Sequence, residues 1–163
     1  MNVSKISLNK LLDEILSKKI SILGDSHLDE NWVYNQRIIV SKLLNKNVLF
    51  GLECPTELLA FSPLTDLIPA NRRVPLVNSS ETEEKEYNRD ITKSLITYAS
   101  FFDNSIVAIL GDSHLDLQHK QIKIPNIIIH QSFNGAYSHL SNGIYLLEDS
   151  KYLIKSKLSR TLE

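Results

Sequence analysis

Ile22-Leu23-Gly24-Asp25-Ser26-His27-Leu28-Asp29 recurs letter for letter as Ile109-Leu110-Gly111-Asp112-Ser113-His114-Leu115-Asp116. An apolar run precedes each copy: Ile20-Ser21-Ile22-Leu23 and Ile106-Val107-Ala108-Ile109-Leu110. A short, β-branched run that stops at Gly and turns polar reads as a buried strand ending in a tight turn. Any loop contains polar residues, but loops have no reason to repeat. The flanks share no wider similarity, so the chain is not a solenoid. The repeat reads as two strand ends that deliver the same chemical groups to one place.

Working outward, Ser7 caps a first helix that carries Leu8, Leu11, Leu12, Ile15 and Leu16 on one face. After the first polar turn, Asp29 caps a helix over about Asn31 to Asn45, with Val33, Ile39, Val40, Leu43 and Leu44 toward a sheet. Val48 to Leu52 is the next strand and ends at Glu53. Strand, helix, strand with short joins is the pattern of a parallel βαβ unit. Residues 54–80 hold four of the five prolines and read as a loop or lid over one end of the sheet, with a helical turn at Glu57 to Phe61.

Glu81-Thr82-Glu83-Glu84 opens a helix that runs to about Phe102, with Ile91, Leu95, Tyr98 and Phe102 on one stripe and Phe101 and Phe102 in the core. Ile127 to Ile129 is a further strand, ending at His130. Gly143 to Leu147 and Tyr152 to Ile154 form a hairpin. The expected fold is one α/β domain over residues 1–163: a largely parallel sheet, helices on both faces, and an antiparallel C-terminal hairpin.

Hydrophobic residues make up 42% of the chain, charged residues 23%, and the net charge is −1, which excludes an electrostatic nucleic-acid binder. No apolar run is long enough for a membrane helix. The amino end carries no signal-peptide pattern, and the single cysteine, Cys54, excludes an intrachain disulfide. These features point to a reducing, cytoplasmic setting, although signal-less export leaves no trace in a sequence.

Ligands of open parallel sheets bind beyond the carboxyl ends of the strands. Three strands here end in groups that ligate metals or move protons: Asp25, Ser26 and His27; Glu53; and Asp112, Ser113 and His114. If those strands are neighbours, two imidazoles and a carboxylate (His27, Glu53, His114) form a common catalytic zinc-type set. Asp25 and Asp112 either orient the imidazoles or serve as turn residues. Gly24 and Gly111 let the chain turn and let a ligand approach the backbone. His130, after its own strand, is a further ligand-binding candidate. Cys54 is a candidate nucleophile beside His27 or His114, although a lone cysteine after a strand is usually packing.

The order Gly24-Asp25-Ser26-His27, Gly51-Leu52-Glu53, Arg89-Asp90, Gly111-Asp112-Ser113-His114 resembles the Tiki/TraB, erythromycin esterase and ChaN-like superfamily. The resemblance runs from about Lys19 to His114. It implies a metal-dependent hydrolase that activates water at a His/Glu/His site to cleave an ester or amide of a small-molecule or peptide substrate. Zn, Mn or Co is the implied ion. Arg89 would hold an anionic group. The ChaN branch implies haem binding instead. The chain departs from the family in having Asp25 where the esterases tend to carry Glu, and in a short stretch between Glu53 and Arg89.

Gly24-Asp25-Ser26 also resembles the SGNH serine hydrolases. Ser26 would then be the nucleophile, and Asp116-Leu117-Gln118-His119 would supply the base. A third reading is non-catalytic, a ligand-binding or interaction domain on the same fold.

Overall fold

The structure, a computed structural model, describes residues 2–25, 30–62, 64–78, 84–131, 137–155 and 157–158. Ser26, His27 and the cap residue Asp29 fall outside the described residues, as does the acidic run 81–83.

Eight strands form one mixed sheet: β1 (Ser4–Ile6), β2 (Ile20–Asp25), β3 (Val48–Leu52), β4 (Arg73–Pro75), β5 (Ser105–Gly111), β6 (Asn126–His130), β7 (Gly143–Glu148) and β8 (Lys151–Lys155). Their spatial order is β1-β7-β8-β6-β2-β5-β3-β4. Strands β8, β6, β2, β5, β3 and β4 run parallel, and β7 is antiparallel to both β8 and β1. The expected largely parallel sheet and antiparallel hairpin are both present. β2 is the centre of the sheet, and its continuous apolar run is what a strand covered on both faces requires.

Helices α1 (Leu8–Ser17) and α2 (Glu30–Leu43) cover one face, where Leu11, Ile15, Ile39 and Leu43 pack on Leu23, Phe50, Val107 and Ile129. Helices α3 (Glu84–Phe101) and α4 (Leu115–Gln121) cover the other, where Ile91, Leu95, Leu115 and Ile122 pack on Ile22, Ile106, Leu110 and Ile128. The α1 cap is the expected one: Lys10 N donates to Ser7 Oγ at 3.0 Å.

Three elements are additional to those read from sequence. β1 is too short to show alternation, β4 contains Pro75, and α4 is a brief helix continuous with the polar turn. Short 3₁₀ turns occupy Thr56–Phe61 and Ala70–Arg72 within the proline-rich segment.

Phe101 and Phe102 are not core. They are 80% and 42% exposed. The stripe that buries Ile91 and Leu95 runs on past the amino edge of the sheet, where Lys19 Nζ meets the carbonyl of Asn104 at 2.7 Å.

Arg72 joins the proline-rich segment to the sheet. Its guanidinium donates to the carbonyls of Leu43, Leu44 and Lys46 at the end of α2 and to Val48 O at 2.9 Å. It also lies 5.4 Å from the ring centre of Phe50. A helix end leaves carbonyls without partners, and a charged donor satisfies several at once. Replacing Arg72 by Met keeps the apolar stem but strands these carbonyls. Urea unfolding of R72M is expected to show a loss of about 2 kcal/mol.

Candidate functional site

β2 and β5 are hydrogen-bonded neighbours running in the same direction, so the two repeated turns leave the sheet at the same rim. β3 lies on the other side of β5 and β6 on the other side of β2, and both end there too. The carboxyl ends of four parallel strands therefore meet at one crest, where Asp25, Glu53, Asp112, His114 and His130 are gathered.

The two copies of the repeat are not aligned with each other. Leu23 pairs with Ile109, Gly24 with Leu110 and Asp25 with Gly111, one residue out of step. A slip of one residue sends a strand's side chains to the opposite face. Leu23 packs on the α1/α2 side, whereas its counterpart Leu110 packs on the α3/α4 side. Identical letters thus serve two different surroundings.

On the α1/α2 side, Asp25 accepts a hydrogen bond from Gln36 Nε2 at 2.7 Å. Gln36 is buried in the middle of α2. These two residues, with Glu53 and Cys54, form the polar part of a cavity of about 360 Å³. Its apolar part is Val33, Leu52, Leu64 and Ile109, with Leu58 and Phe61 on the 3₁₀ turn. Phe61 is 82% exposed.

On the other side, Asp112 lies over Gly24. Its Oδ1 accepts from Gln131 N at 3.1 Å, and its Oδ2 faces His130 Nδ1 at 3.0 Å. Asp116 Oδ1 lies 3.4 Å from His130 Nε2 and 3.5 Å from Lys151 Nζ. Burial pulls the His130 pKa down, but the bonds and charge of Asp112 and Asp116 outweigh it and leave the pKa raised. Burial likewise pushes Asp116 up, and His130 and Lys151 more than reverse it, so its pKa is lowered.

Between the two sides stands Glu53. Its Oε2 accepts the Gly111 N–H at 2.8 Å, and its Oε1 lies 3.5 Å from His114 Nε2. His114 Nδ1 donates to Asn88 Oδ1 at 2.9 Å, and Gln118 Nε2 donates to Asn88 O at 2.9 Å.

Other candidates are placed elsewhere. Arg89 is on the outer face of α3, with its side chain 79% exposed and Glu86 4.0 Å away. Its neighbours Asn88 and Asp90 face inward instead. Ser113 is exposed beside the crest. Cys54 is a poor nucleophile, because burial and the charges of Glu53 and Glu57 push its thiol upward. His119 Nδ1 is 2.6 Å from Asn126 Oδ1 at the amino end of β6. It is thus at the opposite end of that strand from the crest.

Among the described residues, no three His, Cys, Asp or Glu side chains stand close enough together to hold a metal ion. Glu53 and His114 supply two donors. His27, the third residue of the expected set, lies outside the described residues. Gln36, Asn88, Gln118 and Gln131 were not singled out in the sequence. The signal for the helical three is an amide side chain on the inward face of a helix.

The twin glycines have unequal tolerance. A Cβ on Gly24 would stand 2.1 Å from Asp112 Oδ1 and 3.2 Å from Ile129 O, whereas one on Gly111 would meet His114 Cδ2 at 3.3 Å. Gly24→Ala must displace Asp112 from His130 and Gln131, and chemical denaturation is expected to show a loss of about 2–3 kcal/mol. Gly111→Ala is expected to lose about 1 kcal/mol or less.

The raised pKa of His130 sets a pH dependence. The stability it contributes is full below its ordinary value of 6.5 and is lost as pH rises through the higher folded value. The stability difference between the wild-type chain and His130→Gln is therefore expected to be greater at about pH 5.5 than at about pH 9. A difference that grows with pH would contradict the ion pair.

No protein-family model and no curated protein matches the chain. Among solved structures, the chain is similar to ChaN of Campylobacter jejuni, in a structure described as cofacial haem binding to that protein. The TM-score is 0.58 at 13% identity, over 94% of this chain and 93% of that one. The chain has the ChaN fold, as the order of its motifs implied.

Proposed function

We propose that the chain is a ligand-binding protein of the haem type, with residues 54–80 acting as a cover over one end of a single α/β domain. The observation that carries this reading is the cavity beside the crest. Its wall is mostly apolar, with Asp25, Gln36 and Glu53 as its polar part, and it includes a bare aromatic ring, Phe61. Binding sites for small molecules are of this kind, mostly apolar with a few placed polar groups. The fold is that of a protein whose structure is described as binding haem.

The lining suits a porphyrin ring better than its iron. Val33, Leu52, Leu64 and Ile109 offer an apolar wall, and Leu58 and Phe61 can lie against a flat face. Haem carboxylates would be repelled by Asp25 and Glu53 and so would point outward through the mouth. The soft donor in the wall, Cys54, is held as a thiol.

Binding is therefore carried by the ring and not by the metal. Hemin, followed by its absorbance, and metal-free protoporphyrin, followed by its fluorescence, are expected to bind with affinities within about tenfold of each other. Phe61→Ala is expected to weaken both by about tenfold. Failure of both to bind would overturn the reading.

The Glu53–His114 contact favours a second reading, a metal-dependent hydrolase in which His27, Glu53 and His114 hold a divalent ion. That reading requires the chain to take up Zn, Mn or Co and to lose it in His114→Ala. It also requires ester or amide cleavage that a chelator stops.

A further inference from the structure

Four strands from the central strand, the same rim of the sheet carries a second cavity, of about 340 Å³. It lies where β1 ends, β7 begins and β8 ends. Lys5, Lys155 and Lys157 line it, and no Asp or Glu does among the described residues. In a chain with as many acidic as basic groups to within one, that is a local excess of positive charge.

Strand alternation explains how the cavity is made. Ile6, Ile144 and Ile154 belong to the core under α1 and α2, so Lys5 and Lys155, one residue away, face the other side. The cavity opens round the end of these strands and is basic on one side. On its other side it is apolar, with Ile6, Leu8, Ile144 and Leu158.

Two of the lysines are held in place. Lys155 Nζ donates its three protons to main-chain carbonyls, Tyr137 O at 3.1 Å, Ser138 O at 3.0 Å and Leu140 O, and so adds charge to the cavity but no free donor. Lys157 Nζ stands 4.3 Å from the ring centre of Tyr34 on α2. Lys5 runs across Gly143, where a Cβ would stand 2.5 Å from its Cε. Gly143 has φ +156°, so its backbone also favours glycine there. The amino end of α1, at Ser7 and Leu8, borders the same space, and a helix amino end favours negative charge.

We infer that this cavity binds a small amphiphilic anion: a carboxylate seated among the lysines and an aliphatic chain laid on the apolar wall. Charge complementarity and the two-sided lining carry this inference, and it is independent of the haem-type reading.

Calorimetric titration of the full chain with decanoate tests it. One saturable site is expected, with decan-1-ol, which lacks the charge, and acetate, which lacks the chain, each weaker by at least about tenfold. Lys5→Met and Lys157→Met, both surface changes, are each expected to weaken decanoate binding by about tenfold, and Phe61→Ala to leave it unchanged. Absence of saturable binding would overturn the proposal, and so would indifference to both lysine changes or weakening by Phe61→Ala. Lysine-dependent sedimentation with anionic phospholipid vesicles, without decanoate binding, would assign the lysines to a membrane surface and overturn it equally.

Discussion

The one-residue offset between β2 and β5 is the constraint on which the crest depends. In a sheet buried on both faces, register decides which core every side chain enters. The pairing Leu23 to Ile109 sends Leu23 under α2 and Leu110 under α3. It also sends Asp25 to the cavity side and leaves Gly24 beneath Asp112. Aligning glycine with glycine would place both aspartates on one side and remove the space that Asp112 occupies. A repeated string therefore becomes a two-sided rim, with a cavity wall on one side and a His130–aspartate cluster on the other.

The crest holds itself together. Glu53 is tied across strands to the Gly111 N–H, and Asp112 is tied to the start of the segment after β6 through Gln131 N. Gln131 Nε2 in turn donates to Gly24 O at 2.8 Å. Carboxylates at strand ends here replace the backbone pairing that stops when strands diverge. Buried charge tolerated in this way needs partners on several elements. That is why the amides of α2, α3 and α4 reach inward at Gln36, Asn88 and Gln118.

Much of this was legible in the letters. The repeated Gly-Asp-Ser-His marked two strand ends, and long apolar runs marked β2, β3, β5 and β6 as interior. The offset was not legible, because identical strings say nothing about which residues pair. Nor were β1 and β4, three residues each, whose place in the sheet comes wholly from their neighbours. Asn88 beside Arg89 illustrates a different limit: one step along a helix turns a residue through about 100 degrees, and only packing decides which of two polar neighbours faces in. Phe101 and Phe102 failed as core because periodicity identifies a face and not where the sheet beneath it stops.

The outermost strands bear on how copies of this protein meet. A sheet normally ends in a row of bare amides and carbonyls on which another chain can crystallise as an added strand. Here β1 and β4 present only three residues each, and Pro75 removes one donor from the latter. The molecule is thus poorly templated for fibril growth. The exposed apolar surface lies instead in isolated side chains such as Phe61 and Phe101.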